Sequence, residues 1–467
     1  MKNKLPLIEQ VTIATAGAEG KAVARNDNVV IFVPFAAPGD VANVQITFKR
    51  KNYLEGRIEN LISPSPLRTT PMCEHFGTCG GCAWQHIQYS YQLEFKRQQV
   101  TDAFQRLGKF NFPDPLNTLG SEKVYHYRNK LEFTFSCRRW LNKEEFAANQ
   151  TTHRNALGFH IPKMFDKVLD INCCFLQPDL SDQIRLAAKS FALQHEMSFH
   201  DHRTREGFLR NLLVRNNSNN EWLVLLVVNE PDQKKAELLL EHLHMQFPEI
   251  ISLQYLINNR PNDHYSGITP VVYHGQPYLS ETMDGLVFRV GPLSFFQTNT
   301  SQAVRMYREV RKLSQLTGKE IVYDLYSGTG TIALYVARDA QKVLGFEYSS
   351  AAVTDAFANA ALNSIQNVDF FCGDIVKTLD SNFIKQNSIP DVVITDPPRA
   401  GMHEQVVKRI VDMSPERIVY VSCNPATQAR DITLLDAFYR VEVVQPLDMF
   451  PHTPHIENLV LLVKRGT

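Results

Sequence analysis

The sequence predicts an α/β chain: a small amino-terminal β-barrel, a central α/β domain and a carboxyl-terminal doubly wound sheet. Three observations carry this reading. Short β-rich runs separated by turn residues fill positions 7 to 62, strand-like and helix-like segments mix from Tyr125 to about Val290, and from Ile321 onward apolar strand, loop and helix recur regularly. At 467 residues the chain has room for a core in each part. The expected divisions are 1–66, 67–290 and 291–467.

Composition narrows the setting. No stretch is long or apolar enough to span a bilayer, and Met1-Lys2-Asn3-Lys4-Leu5-Pro6 lacks a signal peptide's apolar core, so a cytoplasmic protein is expected. Eight cysteines are too few for a secreted disulfide scaffold. Net charge is zero, but residues 1–160 hold 20 Lys and Arg against 14 Asp and Glu, and the remainder 29 against 35. A basic amino-terminal third permits a polyanionic partner without requiring one. Nothing in the sequence points to an obligate protein partner.

In the barrel the runs are Leu7 to Ile13, Lys21 to Ala24, Val29 to Val33, Val41 to Phe48 and Arg57 to Ile62, parted by Gly17, Gly20, Asn26-Asp27-Asn28, Pro38-Gly39-Asp40 and Asn52. Five strands at these intervals suit an OB-like barrel. Lys49-Arg50-Lys51 followed by Tyr53 sets backbone charge beside a stacking ring, which suits single-stranded nucleic acid; a solvated loop on a structural barrel fits the same residues.

Ser63-Pro64-Ser65-Pro66 reads as a linker. Beyond it, Cys73, Cys79 and Cys82 leave a metal site one ligand short, and Cys174 in Leu169-Asp170-Ile171-Asn172-Cys173-Cys174 is the candidate fourth. Four thiolates hold either structural zinc or an iron–sulfur cluster, and three close cysteines plus a distant one sit more easily on a cubane. His75 and His86 are read as surface histidines, and Cys137 and Cys372 as core cysteines. Tyr89 to Leu107 has the apolar spacing of an amphipathic helix. The central domain alternates strand-like Lys130 to Ser136, helical Ser181 to His195, strand-like Trp222 to Val228, helical Asp232 to Met245 and strand-like Ile251 to Ile257.

In the last third, Ile321 to Leu325 is the first strand, and Tyr326-Ser327-Gly328-Thr329-Gly330-Thr331 turns into a helix near Ile332. Glycines there let the backbone approach a ligand at a helix amino terminus. Glu347, ending Val343 to Phe346, stands at the distance of an acid that grips ribose hydroxyls, so a dinucleotide also fits. Three features favour S-adenosylmethionine instead. Asp391 to Thr395 ends in the rigid turn Asp396-Pro397-Pro398-Arg399; Gly373-Asp374 supplies a further acid at a strand end, suited to an adenine amino group; and Val441 to Val444 and Asn458 to Val463 are too close for a helical crossover, so they pair antiparallel.

Ile418 to Val421 reads as a buried parallel strand delivering Cys423 to its carboxyl end, because Asn424-Pro425 forces a turn. Ligands bind at that edge of an open α/β sheet. A lone cysteine is more often core, but here the neighbouring segments carry a cofactor cleft.

Together, Phe295-Phe296-Gln297-Thr298-Asn299, Asp324 to Thr331, Asp396-Pro397-Pro398-Arg399-Ala400-Gly401, Ser422-Cys423-Asn424-Pro425 and His455-Ile456-Glu457-Asn458 resemble the RNA uracil-5-methyltransferase family, in order and spacing, over nearly the whole chain. The barrel resembles that family's TRAM domain, and the cysteine set resembles the four-iron four-sulfur ligands of its 23S ribosomal RNA branch. The resemblance implies cofactor contacts at Gln297, Tyr326, Thr331, Glu347, Asp374 and Asp396, a nucleophile at Cys423, a general base at Glu457, and cluster ligands at Cys73, Cys79, Cys82 and Cys174. Tyr326 to Thr331 departs from the Phe-Cys-Gly-Val-Gly-Asn common in the ribosomal branch, which leaves the target nucleotide open.

The implied chemistry needs these residue types. Uracil C5 is a poor nucleophile until a thiolate adds to C6, and the C5 proton must then be removed before the thiolate leaves. A stacked base cannot reach a buried thiol, so the uridine must be flipped out, with the barrel holding flanking RNA. The expected activity is uridine C5 methylation of structured RNA, 23S ribosomal RNA first and transfer RNA second. A cytosine C5 enzyme would resemble Pro-Cys or Thr-Cys contexts, and an amino-group methyltransferase would carry an aromatic residue where Arg399 stands. A non-enzymatic iron–sulfur RNA-binding protein is disfavoured by the intact cleft, thiol and acid.

Overall fold

The computed structural model describes residues 5–26, 29–147 and 154–466. They form two compact units: Met1–Pro71, Cys82–Glu122 and Ser301–Thr467 make the first, Met72–Gly81 and Lys123–Thr300 the second. This differs from cuts at 66 and 290, because the chain leaves the first unit twice and returns.

The first unit begins with a closed barrel of β1 (Leu7–Ala16), β2 (Lys21–Asn26), β3 (Val29–Pro34), β4 (Val41–Lys49) and β5 (Tyr53–Ser63), in the order β1-β2-β3-β5-β4. Its pairs are antiparallel except β3 with β5, which run parallel. Alternate side chains such as Val11, Ile13, Ile31, Val33, Val44 and Ile46 fill the interior. Gly56 allows the closure: a Cβ there would lie 2.3 Å from Val44 Cγ1.

The stretch read as a linker is packed instead. Ser65 is buried, and its N–H donates to the buried Asp40 carboxylate at 2.9 Å. Arg68 adds two hydrogen bonds to the same carboxylate, both 2.7 Å, and Ala37 N–H a fourth at 2.6 Å. Burial pulls the Asp40 carboxyl upward, but Arg68 and the two N–H donors outweigh it and hold the group below its usual range. Nearby, His86 is a correction to the surface reading: it is buried, one ring nitrogen 3.3 Å from the Ala36 carbonyl, and desolvation lowers its proton affinity to about 4. The expected amphipathic helix runs from Tyr89 to Ala103 and buries Gln92, Lys96 and Val100 on one stripe.

The second unit is a seven-stranded sheet ordered β12-β11-β10-β9-β6-β7-β8, with β6 (Lys130–Ser136), β7 (Ala156–Ile161), β8 (Met164–Asp170), β9 (Leu209–Asn216), β10 (Trp222–Val228), β11 (Ile250–Ile257) and β12 (Val271–Gly275). Helices Leu180–Gln194 and Gln233–Gln246 cover one face, packing Ile184, Leu239 and Leu243 on Val224 and Leu226. A separate hairpin of β13 (Leu279–Met283) and β14 (Leu286–Val290) follows.

The first unit then resumes with β15 (Ile321–Leu325), β16 (Lys342–Glu347), β17 (Val368–Cys372), β18 (Val392–Thr395), β19 (Arg417–Ser422), β20 (Tyr439–Leu447) and β21 (Glu457–Lys464). The order is β17-β16-β15-β18-β19-β21-β20, the first five parallel and β21 antiparallel to both its neighbours. The terminal antiparallel hairpin is as expected. Strand order reverses between β15 and β18, and a ligand crevice belongs at their carboxyl ends. Cys372, read as a core cysteine, is exposed because β17 is the edge strand. Cys137 packs half-buried against the second unit's core. No helix among the described residues is long and apolar enough to cross a membrane.

Candidate active site

The carboxyl ends of β15, β16, β17, β18 and β19 bring Tyr326, Glu347, Asp374, Asp396 and Cys423 to one edge of the sheet, with Thr331 opening the helix after β15. Tyr326 follows β15 with φ of 64°, a conformation a bulky side chain rarely adopts, and such strain is concentrated at ligand sites. Gly330, at φ 80°, caps helix Thr331–Val336, and a Cβ there would lie 2.8 Å from Phe370. Glu347 spans the turn: its carboxylate accepts Gly328 N–H at 3.1 Å and Ser349 N–H at 2.8 Å. Asp374 caps helix Ile375–Thr378 by accepting Val376 N–H at 2.9 Å. Thr331 bonds the hydroxyl of buried Tyr307.

The candidate nucleophile and base stand one strand further along. Ser422 of β19 pairs with Asn458 of β21, so Cys423 and Glu457 face each other one step beyond the last pair. Asn424 fixes the turn after the thiol: its side chain accepts Ala426 N–H at 3.1 Å and donates to the Arg399 carbonyl at 3.0 Å. Glu457 is buried, not the exposed acid that an isolated Glu suggests. Burial, then the charge of Asp396, pushes its carboxyl well above the usual range, against the opposing pull of Arg399 and Lys96. The Cys423 thiol rises to about 11 through burial and the carboxylates Glu457 and Asp396, with Arg399 opposing. Burial takes Asp396 itself to about 7. A half-buried thiol, a buried proton-hungry carboxyl and, at the solvent side, the exposed guanidinium of Arg399 thus act on one another, a set suited to nucleophilic addition followed by proton removal.

The second unit holds Gln297, whose carbonyl accepts the Asn129 side-chain amide at 2.9 Å, while Asn129 N–H donates to the Thr298 carbonyl at 2.8 Å. It also holds Cys73, Cys79 and Cys174; Cys82 belongs to the first unit. Cys73 sulfur is raised by burial and by Cys79, and is offset by the N–H groups of His75 and Phe76. Gly81 N–H lies 3.4 Å from the Cys79 sulfur. Cys174 packs at the core edge with its N–H on Asp182 at 2.8 Å, whereas Cys173 feels the charge of Cys73. His75 accepts Asn172 N–H at 2.9 Å. Among the described residues no three His, Cys, Asp or Glu side chains are set to hold a metal ion.

Comparison with known proteins decides the family. The family pattern described as tRNA (Uracil-5-)-methyltransferase matches residues 276–465, and that of the TRAM domain matches residues 8–58. An RNA methyltransferase of Bacteroides thetaiotaomicron is 50% identical over 452 residues, covering 96% of this chain and 100% of its own. One from Porphyromonas gingivalis is 50% identical over 460 residues, covering 97% and 99%. The crystal structure of Pyrococcus abyssi tRNA (uracil-54, C5)-methyltransferase with S-adenosyl-L-homocysteine superimposes with a TM-score of 0.74 at 30% identity, covering 97% of this chain and 100% of that one. The chain belongs to the RNA uracil-5-methyltransferase family.

It is therefore an S-adenosylmethionine-dependent RNA methyltransferase carrying a TRAM barrel. On the TRAM barrel the exposed ring is Phe48, with Arg50 stacked over it at 5.6 Å, whereas Tyr53 packs edge-on against Phe32 at 5.5 Å. Three buried polar residues that act on Glu457 or Asp396 escaped the sequence reading. Asp324, buried at the end of β15, and Tyr307 look like ordinary strand and helix residues. Lys96 looks solvent-facing; its only signal is its place four residues from both Gln92 and Val100, on the helix's buried stripe.

Proposed function

We propose that the enzyme methylates C5 of a specific flipped-out uridine in structured RNA, 23S ribosomal RNA in the first place, through a covalent bond between Cys423 and uracil C6. The observation that carries this is the placement of Cys423 opposite Glu457 at the ends of β19 and β21, within the field of Asp396 and Arg399. S-adenosylmethionine, when bound, supplies an electrophilic methyl group; Gln297, Tyr326, Thr331, Glu347, Asp374 and Asp396 would hold it. The Cys423 thiolate adds to C6, and the electron density it contributes makes C5 nucleophilic. Once C5 is methylated, Glu457 accepts the C5 proton, the C5–C6 double bond re-forms and the sulfur leaves. A carboxyl with strong proton affinity suits that acceptor role. We further infer that Cys73, Cys79, Cys82 and Cys174 carry a four-iron four-sulfur cluster.

A transfer RNA uridine is the second reading, favoured by the likeness to the Pyrococcus abyssi enzyme. The two separate in one experiment: methyl transfer from radiolabelled S-adenosylmethionine to unmodified ribosomal and transfer RNA, followed by mapping of 5-methyluridine. Label in a 23S uridine supports the first reading, and label confined to transfer RNA replaces it with the second. Label on any base other than uracil defeats both.

A further inference from the structure

The helix Tyr89–Ala103 buries a lysine that the proposed chemistry leaves unused. Lys96 is fully buried, and a buried ammonium persists only where it is paired. It donates to the Asp448 carboxylate and to the Phe450 carbonyl, the latter at 3.2 Å. Asp448 also accepts the Tyr89 hydroxyl at 2.8 Å and Phe450 N–H at 3.0 Å, and Ser121 N–H bonds Tyr89 in turn at 2.7 Å.

This network sits at the root of the loop that delivers Glu457. Asp448 directly follows Leu447, whose partner across the β20–β21 ladder is Glu457. The middle of the loop is tied to the same helix face: His452 N–H donates to Gln92 Oε1 at 2.9 Å, with His452 held at φ 65°. One buried stripe of one helix thus fixes the loop between the two strands. The charged and titratable groups around Glu457 are Asp396 and Arg399 after β18, Cys423 after β19, Asp448 after β20, Tyr307 on helix Thr300–Ser314, and Lys96. Of these only Arg399 and Lys96 are cations, and Lys96 alone comes from outside the methyltransferase sheet and its connections.

We propose that Lys96 is a positioning residue for Glu457: through Asp448 it anchors the loop, and its buried charge keeps the Glu457 carboxylate able to accept the C5 proton. This rests on Glu457 being the base. A group that acts in its ionised form gives a rate that climbs with pH to a plateau. Taking away a nearby cation moves that climb to higher pH, whereas a purely structural role lowers the rate equally at every pH.

The test is the decay of the denaturation-resistant protein–RNA adduct in a single turnover, followed from pH 6 to 9 with 23S or transfer RNA transcripts, whichever the wild type methylates. In Lys96→Met the adduct should form normally, while its decay limb moves up by about one pH unit, roughly tenfold slower at neutral pH. Lys96→Arg should restore the wild-type profile. Should Lys96→Met not fold, Lys96→Gln, which keeps a hydrogen bond to Asp448 without the positive charge, should show the same displaced limb. An unmoved limb in either folded variant overturns the proposal. Glu457→Gln, run alongside, separates the two claims. If its adduct decays normally, the base reading fails; if it stalls while the Lys96 limbs stay put, only the role of Lys96 is lost.

Discussion

The carboxyl of Asp396, just past the end of β18, pushes up that of Asp324 on the adjacent parallel strand β15, after burial, which does most. Two acids in one dry crevice are costly when ionised, and the apo protein bears that cost near neutrality. A folded-state proton affinity raised to about 7 for Asp396 means stability is greatest below the unfolded value near 4 and declines as pH rises through 7. Asp396→Asn should therefore stabilise the apo enzyme at pH 8 by up to about 4 kcal/mol and change little at pH 4. Urea unfolding at the two pH values measures this, and an equal effect at both would contradict it.

The Cys423 thiol, pushed to about 11, should be sluggish in the free enzyme. Its alkylation by iodoacetamide should rise about tenfold per pH unit between pH 7 and 10, because only the thiolate reacts. Arg399→Gln, which removes the cation favouring that thiolate, should slow alkylation further. A rate flat across this range would mean the thiol is already ionised.

Glu347 accepts Gly328 N–H of the glycine turn and Ser349 N–H, and it is the residue expected to take the ribose hydroxyls of the cofactor. Glu347→Ala should weaken S-adenosylmethionine binding by roughly 1.5–3 kcal/mol, about tenfold to a hundredfold. Titration calorimetry decides it, and unchanged affinity would place the acid outside the pocket.

Much of the fold was legible in the sequence because its strands are buried on both faces. All seven residues of β10, Trp222 to Val228, are buried, and the run reads as continuously apolar. The β19 strand is nearly as clear, which is why Cys423 could be assigned to a carboxyl edge, whereas Glu457 stood out only through the family resemblance. Polar burial was not legible. Lys96 and Asp448 lie 352 positions apart, and Ser65 and Asp40 lie 25 apart, so no local pattern announces either pair. Cys372 misled for a related reason: alternation identifies a strand but does not say which strand is at the edge.

Oxygen-free purification should yield a brown protein with iron and acid-labile sulfide if Cys73, Cys79, Cys82 and Cys174 ligate a cluster. Cys79→Ser should remove the metal and lower the unfolding temperature, since cluster binding contributes to folding. Stoichiometric zinc without iron would replace the cluster with a structural zinc site.

The most direct test of the mechanism is denaturing electrophoresis of Glu457→Gln with S-adenosylmethionine and substrate RNA. The amide keeps the shape but cannot take the C5 proton, so Cys423 should add to C6, C5 should be methylated, and methylated RNA should stay bound to the protein. Cys423→Ala should give neither adduct nor product. Normal turnover by Glu457→Gln, or an RNA adduct with Cys423→Ala, would contradict the assignment of nucleophile and base.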